Sequence, residues 1–149
     1  MQTRSLSTAG WLLALLSQLI GCGEVDYPLV PVSGAVTLDG EPLSGAAVVF
    51  QPTSTGSAGK TAPGSVGRTN GDGRYELSTV NDQPGASPGR HKIRIYSHSP
   101  ESAPVSDTDS GENSERVPDR FNYRSQLFFE VPSTGTDAAD FQLTTDFKE

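Results

Sequence analysis

The sequence predicts an all-β protein: seven short strands in a two-sheet Greek-key sandwich, following a leader that is removed. Three observations carry this expectation. Apolar residues recur with a period of two in seven separate stretches, and no segment after residue 20 has a helical period. The 16 glycines and 11 prolines fall largely between those stretches, at turn positions. One-sided strands of this kind bury their apolar faces most simply by stacking two sheets.

The first strand starts at Val32, with Val32, Gly34, Val36 and Leu38 on one face and Ser33, Ala35 and Thr37 on the other. Asp39-Gly40 is a two-residue hairpin signal, because both residues tolerate positive φ. In the next strand Ala46, Val48 and Phe50 alternate with Ala47, Val49 and Gln51. Residues 52–65 are rich in Thr, Ser, Gly and Pro and read as a loop. Val66 to Thr69 is a short strand, and Asn70-Gly71-Asp72-Gly73 turns into a strand over 74–78 with Tyr75 and Leu77 inward. After a loop over 81–89, His91, Ile93 and Ile95 form one face of a strand, with Arg90, Lys92, Arg94 and Tyr96 on the other. Residues 98–117 are weakly hydrophobic and acidic, and are expected to be a flexible loop. Leu127, Phe129 and Val131 mark the sixth strand; Phe141 and Leu143 mark a seventh over 138–145, with 146–149 as a tail.

The leader is short. Residues 11–20 are apolar apart from Ser17 and Gln18, about half of the roughly 20 residues a membrane-spanning helix needs. Arg4 precedes this run, and Leu19-Ile20-Gly21-Cys22 closes it with the only cysteine of the chain. That arrangement resembles the signal peptide of a bacterial lipoprotein, with 1–21 removed and 22–31 left as a tether. The resemblance implies that Cys22 carries an S-diacylglyceryl group and an N-acyl chain such as palmitate. Two or more acyl chains suffice for stable attachment. The membrane is therefore an expected partner, reached through the lipid, and the protein is expected at the cell envelope outside the cytoplasm. Gly23, rather than Asp, after the cysteine favours the outer membrane if the bacterium has two. With Cys22 acylated no disulfide is available, so the fold rests on apolar burial and backbone pairing.

Charge narrows the partners. The chain carries −7, and loss of Arg4 with the leader makes the mature protein one unit more negative. Nucleic acid is not expected, since a binder would show a basic patch dominating the domain.

Four segments taken together resemble a carboxypeptidase regulatory-like domain: Gly34-Ala-Val-Thr-Leu-Asp-Gly40; Pro42-Leu-Ser-Gly-Ala-Ala-Val-Val-Phe50; Thr69-Asn-Gly-Asp-Gly-Arg-Tyr-Glu-Leu77; and Pro88-Gly-Arg-His-Lys-Ile-Arg-Ile95. The resemblance covers residues 32–145 and implies the transthyretin (prealbumin)-like form of the sandwich. Pro118 to Ser125, with Arg120-Phe121-Asn122, is similar to the ending of small planctomycete lipoproteins, where a Lys-Tyr-Asn-like segment precedes the last two strands. Such proteins are mostly without an assigned activity, so the resemblance speaks to fold more than to chemistry.

The residues themselves offer little chemistry. Tyr123-Arg124-Ser125 is similar to the Tyr-Arg-Gly-Ser ending of 5-hydroxyisourate hydrolase, which shares the fold, but lacks the glycine and lies far from the C-terminus. His91 and His98 are the only histidines, too few for a zinc site without carboxylates. No Gly-x-Ser-x-Gly elbow or phosphate-binding loop is present. Asn70, Asp72 and Glu76, and separately Asp107, Asp109 and Glu112, cluster without the spacing of a calcium loop. We therefore expect no catalytic residues, no metal and no cofactor. The expected function is a non-catalytic, lipid-anchored module with a structural or interaction role at the envelope. The alternative is a carbohydrate- or protein-binding module using Arg90, Lys92, Arg94 and Tyr96, with an envelope protein or polysaccharide as partner.

Overall fold

Asp39 and Gly40 take φ of 54° and 86°, the left-handed pair that closes a tight hairpin between two twisted strands. In the computed structural model, which describes residues 27–53, 61–98 and 115–146, this turn joins β1 (Ser33–Leu38) to a two-residue β2 (Glu41–Pro42), with Leu38 opposite Glu41. The chain continues through β3 (Ala47–Pro52), β4 (Ser65–Arg68), β5 (Arg74–Glu76), β6 (Ser78–Thr79) and β7 (Gly89–Tyr96). A 3-10 turn at Asp119–Phe121 precedes β8 (Leu127–Val131) and β9 (Phe141–Leu143).

Two sheets form, and they pack face to face. In the smaller, β1 lies at the centre: β2 and β5 pair antiparallel with its two halves, and β9 pairs parallel along Val36 to Leu38. The larger runs β6-β4-β3-β7-β8, antiparallel throughout. All seven predicted stretches contain strand; β2 and β6 bring the number described to nine.

Two of the predicted boundaries are corrected. The expected strand over 74–78 is divided, because its halves belong to different sheets: β5 pairs with β1, whereas β6 pairs with β4. Leu77 is the corner between them. Its N–H donates to the Val32 carbonyl, its carbonyl accepts from Gly85, and its side chain is buried. The last strand begins at Phe141 rather than Ala138. Just before it, the Ala139 carbonyl accepts from the Tyr75 hydroxyl and the Asp140 carboxylate from the Ala35 N–H, so this stretch is held partly by side chains instead of by a regular ladder.

The final residues of the expected tether join the fold. Val30 exchanges both backbone hydrogen bonds with Ala86, and Pro31 accepts from Thr136. Cys22, with residues 1–26, lies outside the described residues, as do 54–60, 99–114 and 147–149, which include most of the predicted acidic loop. Among the described residues no helix is long and apolar enough to cross a membrane.

Phe50 is the hub of the core. It is fully buried, and its ring lies 5.7–6.5 Å from those of Tyr75, His91, Phe129 and Phe141, which come from both sheets. Edge-on and tilted rings at such spacings favour packing beyond area burial alone. Val48, Ile93, Ile95 and Val131 complete the inner face of the larger sheet, opposite Val36, Phe141 and Leu143.

Candidate functional site

The alternation of β7 sends His91, Ile93 and Ile95 into the core and leaves Arg90, Lys92, Arg94 and Tyr96 on the outward face of the larger sheet. Within this stripe Arg90 and Lys92 lie where β8 flanks β7, whereas Arg94 and Tyr96 lie beyond the end of β8 and have β3 alone as a paired neighbour. The stripe's lateral neighbours follow from the register. Gln51 and Phe128 flank Lys92, Val49 stands beside Arg94, Ala47 beside Tyr96, and Glu130 opposite Arg90.

Each member has a distinct setting. The Arg90 guanidinium stacks 4.2 Å above the ring of Phe128, which is itself 42% exposed. Arg94 donates to the Gln51 side-chain oxygen at 2.9 Å, which orients its planar head. The Tyr96 ring meets Tyr123 edge-on at 5.5 Å, and partial burial raises its phenol above the ordinary value of 10.0. Tyr123 is 71% exposed, so an aromatic pair marks this end of the stripe. The four predicted binding residues thus share one surface, and Phe128 joins them through its place opposite Lys92.

Beside the stripe, an open groove of about 370 Å³ crosses β3 and β4. Val49, Pro52, Ala62, Val66 and Val80 supply its apolar walls, and Arg94 and Gln51 stand at its border with β7. Val66 and Val80 were not marked by the sequence reading; they are 40% and 66% exposed. Val66 carries a legible signal, since it alternates with inward Ser65 and Gly67.

The other polar side chains of note serve the frame. His91 is 1% exposed, deeper than its place near a strand end suggests, and its Nε2 donates to the Ser87 carbonyl at 2.7 Å. Burial holds its pKa below the ordinary 6.5, opposed in part by that hydrogen bond. His98 meets the Ser97 hydroxyl at 3.4 Å and the Glu115 carboxylate at 3.9 Å, both through the same ring nitrogen, Nδ1. A proton relay needs the nucleophile and the orienting acid on opposite ring nitrogens, so this is not triad geometry. The Glu115 carboxylate instead accepts from the N–H groups of Ser97 and Val117, both at 2.8 Å. Asn70, weighed as a calcium ligand, gives its side-chain oxygen to the N–H groups of Asp72 and Arg74 within its own turn. Among the described residues no three His, Cys, Asp or Glu stand close enough to hold a metal ion.

The segment around Arg120-Phe121-Asn122 is a clamp. Arg120 stacks on Phe121 and reaches the carbonyls of Thr144 and Asp146. Asn122 is fully buried, donating to the Val117 carbonyl at 3.0 Å and accepting from the Tyr123 N–H. Ser125 donates to the Ile93 carbonyl of β7 at 2.5 Å. In comparison with known proteins, the chain matches no family model, no curated protein and no solved structure.

Proposed function

We propose that this chain is a lipid-anchored, non-catalytic β-sandwich module held outside the cytoplasm at the cell envelope, with a structural or interaction role there. The observation that carries the reading is the division of labour among its polar groups. Ser65, Thr69, Tyr75, Asn122 and Ser125 are all buried, and each donates to a main-chain carbonyl. Groups committed in this way hold the frame, while Arg90, Lys92, Arg94, Tyr96 and Phe128 stand together on the outward face of the larger sheet.

The transthyretin-like, Greek-key form of the sandwich is part of this proposal. After β4 the chain crosses to the other sheet for β5, returns at Leu77 for β6, and sets β7 beside β3, a path that supports the reading. The positive φ of Gly40, Gly45, Gly73 and Gly89 falls on glycines of the carboxypeptidase regulatory-like pattern. Anchoring is supported by Leu19-Ile20-Gly21-Cys22 at the end of a ten-residue apolar run. Gly23 favours the outer membrane in a two-membraned cell.

The test is fractionation of cells that express the wild type or Cys22→Ser. Wild type is expected in the membrane fraction; the variant is expected in the soluble fraction or as an uncleaved precursor. A variant that matures and sediments like wild type contradicts the anchor.

A second reading, that the module binds carbohydrate or protein through Arg90, Lys92, Arg94 and Tyr96, is favoured by the placement of all four on one surface beside Phe128.

A further inference from the structure

From the charge pattern of the larger sheet we infer that its outer face is a docking strip for a linear, acidic polysaccharide, such as a uronate-containing glycan of the envelope. The inference rests on the interaction reading above and adds the chemistry of the partner. The chain has 18 acidic and 11 basic side chains, yet this face reverses the balance. Among the described residues, Arg90, Lys92 and Arg94 point outward from β7, with Arg68, which also donates to the Gly45 carbonyl, beside them on β4, against Glu130 on β8 and Glu115 near the Tyr96 end.

Geometry favours a narrow partner over a broad one. The Arg90 head leans over Phe128 on β8 and the Arg94 head reaches Gln51 on β3, the two residues opposite Lys92, so the three cations draw together in a line that crosses β7 at Lys92. Charges beyond about 8 Å are largely screened at physiological ionic strength. A thin polyanion crossing β7 at Lys92 therefore feels mainly this cluster, whereas a broad anionic bilayer also meets Glu130 and Glu115 at its margins. Two features suit a sugar chain. The Phe128 edge and the Tyr96–Tyr123 pair offer apolar surface for sugar C–H groups, and the bond from Arg94 to Gln51 presents its guanidinium already oriented for a carboxylate.

The full chain, in an uncharged detergent, is to be titrated with polygalacturonate, with neutral dextran, and with vesicles of phosphatidylcholine alone or mixed with phosphatidylglycerol. Binding to polygalacturonate that weakens as salt rises, with none to dextran, is the expected result. Lys92→Glu/Arg94→Glu is expected to weaken it by roughly tenfold. Lys92→Gln, which removes one charge and leaves the Arg94–Gln51 bond in place, is expected to give a smaller loss. Both variants are checked for folding by far-UV circular dichroism and melting temperature. Equal binding by a folded variant overturns the proposal, as does equal binding to dextran, absence of glycan binding, or preference for the anionic vesicles. None of these outcomes moves Cys22-dependent fractionation, so failure here is distinguishable from failure of the anchored-module reading.

Discussion

The Tyr75 hydroxyl donates to the Ala139 carbonyl at 2.6 Å, over the one inward position of β1 that lacks a side chain. Tyr75 is paired in register with Gly34, and a Cβ on Gly34 would stand 2.1 Å from the Ala139 oxygen. On the opposite sheet a Cβ on Gly67 would come within 2.8 Å of the Tyr75 ring. Gly34 thus leaves room for the Ala139 carbonyl and Gly67 for the Tyr75 ring, and the bond between the two ties β5 to the segment leading into β9. Burial pushes the Tyr75 phenol far above its ordinary pKa, so the hydroxyl stays a donor throughout the accessible pH range.

Tyr75→Phe is expected to cost roughly 1–3 kcal/mol, the penalty for a buried carbonyl left without its donor. Gly34→Ala is expected to reach the upper end of roughly 1–3 kcal/mol or exceed it, because the obstructing atoms are backbone and cannot rotate away. Chemical denaturation of both variants measures the difference. A Gly34→Ala protein as stable as wild type contradicts this packing.

Asn122→Ala removes a buried side chain that satisfies the Val117 carbonyl and the Tyr123 N–H. Ser125→Ala frees the Ile93 carbonyl on β7. Each is expected to lower stability by roughly 1–3 kcal/mol. Arg124→Ala, at an exposed neighbouring position, is expected to change it by less than about 0.5 kcal/mol. Melting curves of the three variants side by side decide whether the segment is a clamp.

Stability is expected to fall as pH drops below 6.5, through His91. Its pKa in the folded state is held below the ordinary 6.5 by burial, so between those values the unfolded chain binds the proton and the folded chain does not. The contribution is complete above 6.5 and is lost as pH falls toward the lowered folded value. A single such group changes stability by at most about 1.4 kcal/mol per pH unit. His91→Phe is expected to flatten the slope relative to wild type between pH 6.5 and 5; an unchanged slope contradicts a neutral buried imidazole.

The hairpin residue Asp39 also fastens the C-terminal end. Its carboxylate accepts from the N–H and the hydroxyl of Thr145, both at 2.8 Å, and these bonds hold its pKa below the ordinary 3.8. Their contribution is complete above 3.8 and is lost as pH falls through the lowered folded value. Faster amide exchange at Thr145 is expected in strong acid, and at neutral pH in Asp39→Ala. Exchange unaffected by the substitution contradicts the fastening.

Local chemistry was legible in the sequence, and non-local pairing was not. Asp39-Gly40 announces its hairpin because only a few residue types accept two successive positive φ values. The outward placement of Arg90, Lys92, Arg94 and Tyr96 follows from a period of two that burial then fixes. In contrast, the parallel pairing of β9 with β1 joins residues over a hundred positions apart, and no local pattern encodes it. The sheet change at Leu77 was hidden because the alternation of 74–78 runs on unbroken through the corner. Gly34 and Gly67 look like interruptions in a strand until the Ala139 carbonyl is seen against one and the Tyr75 ring against the other. The groove beside Arg94 depends on Val80, a loop residue carried onto the face of β4 by the bond from its N–H to the Gly64 carbonyl.

The central claim, that a quiet β-sandwich is held at the envelope by lipid, is tested most directly by mass spectrometry of the N-terminal peptide of protein purified from its own membranes. A peptide that begins at Cys22 and carries the mass of the diacylglyceryl and N-acyl groups is the predicted result. An unmodified Cys22, or a mature chain that begins elsewhere, would contradict it.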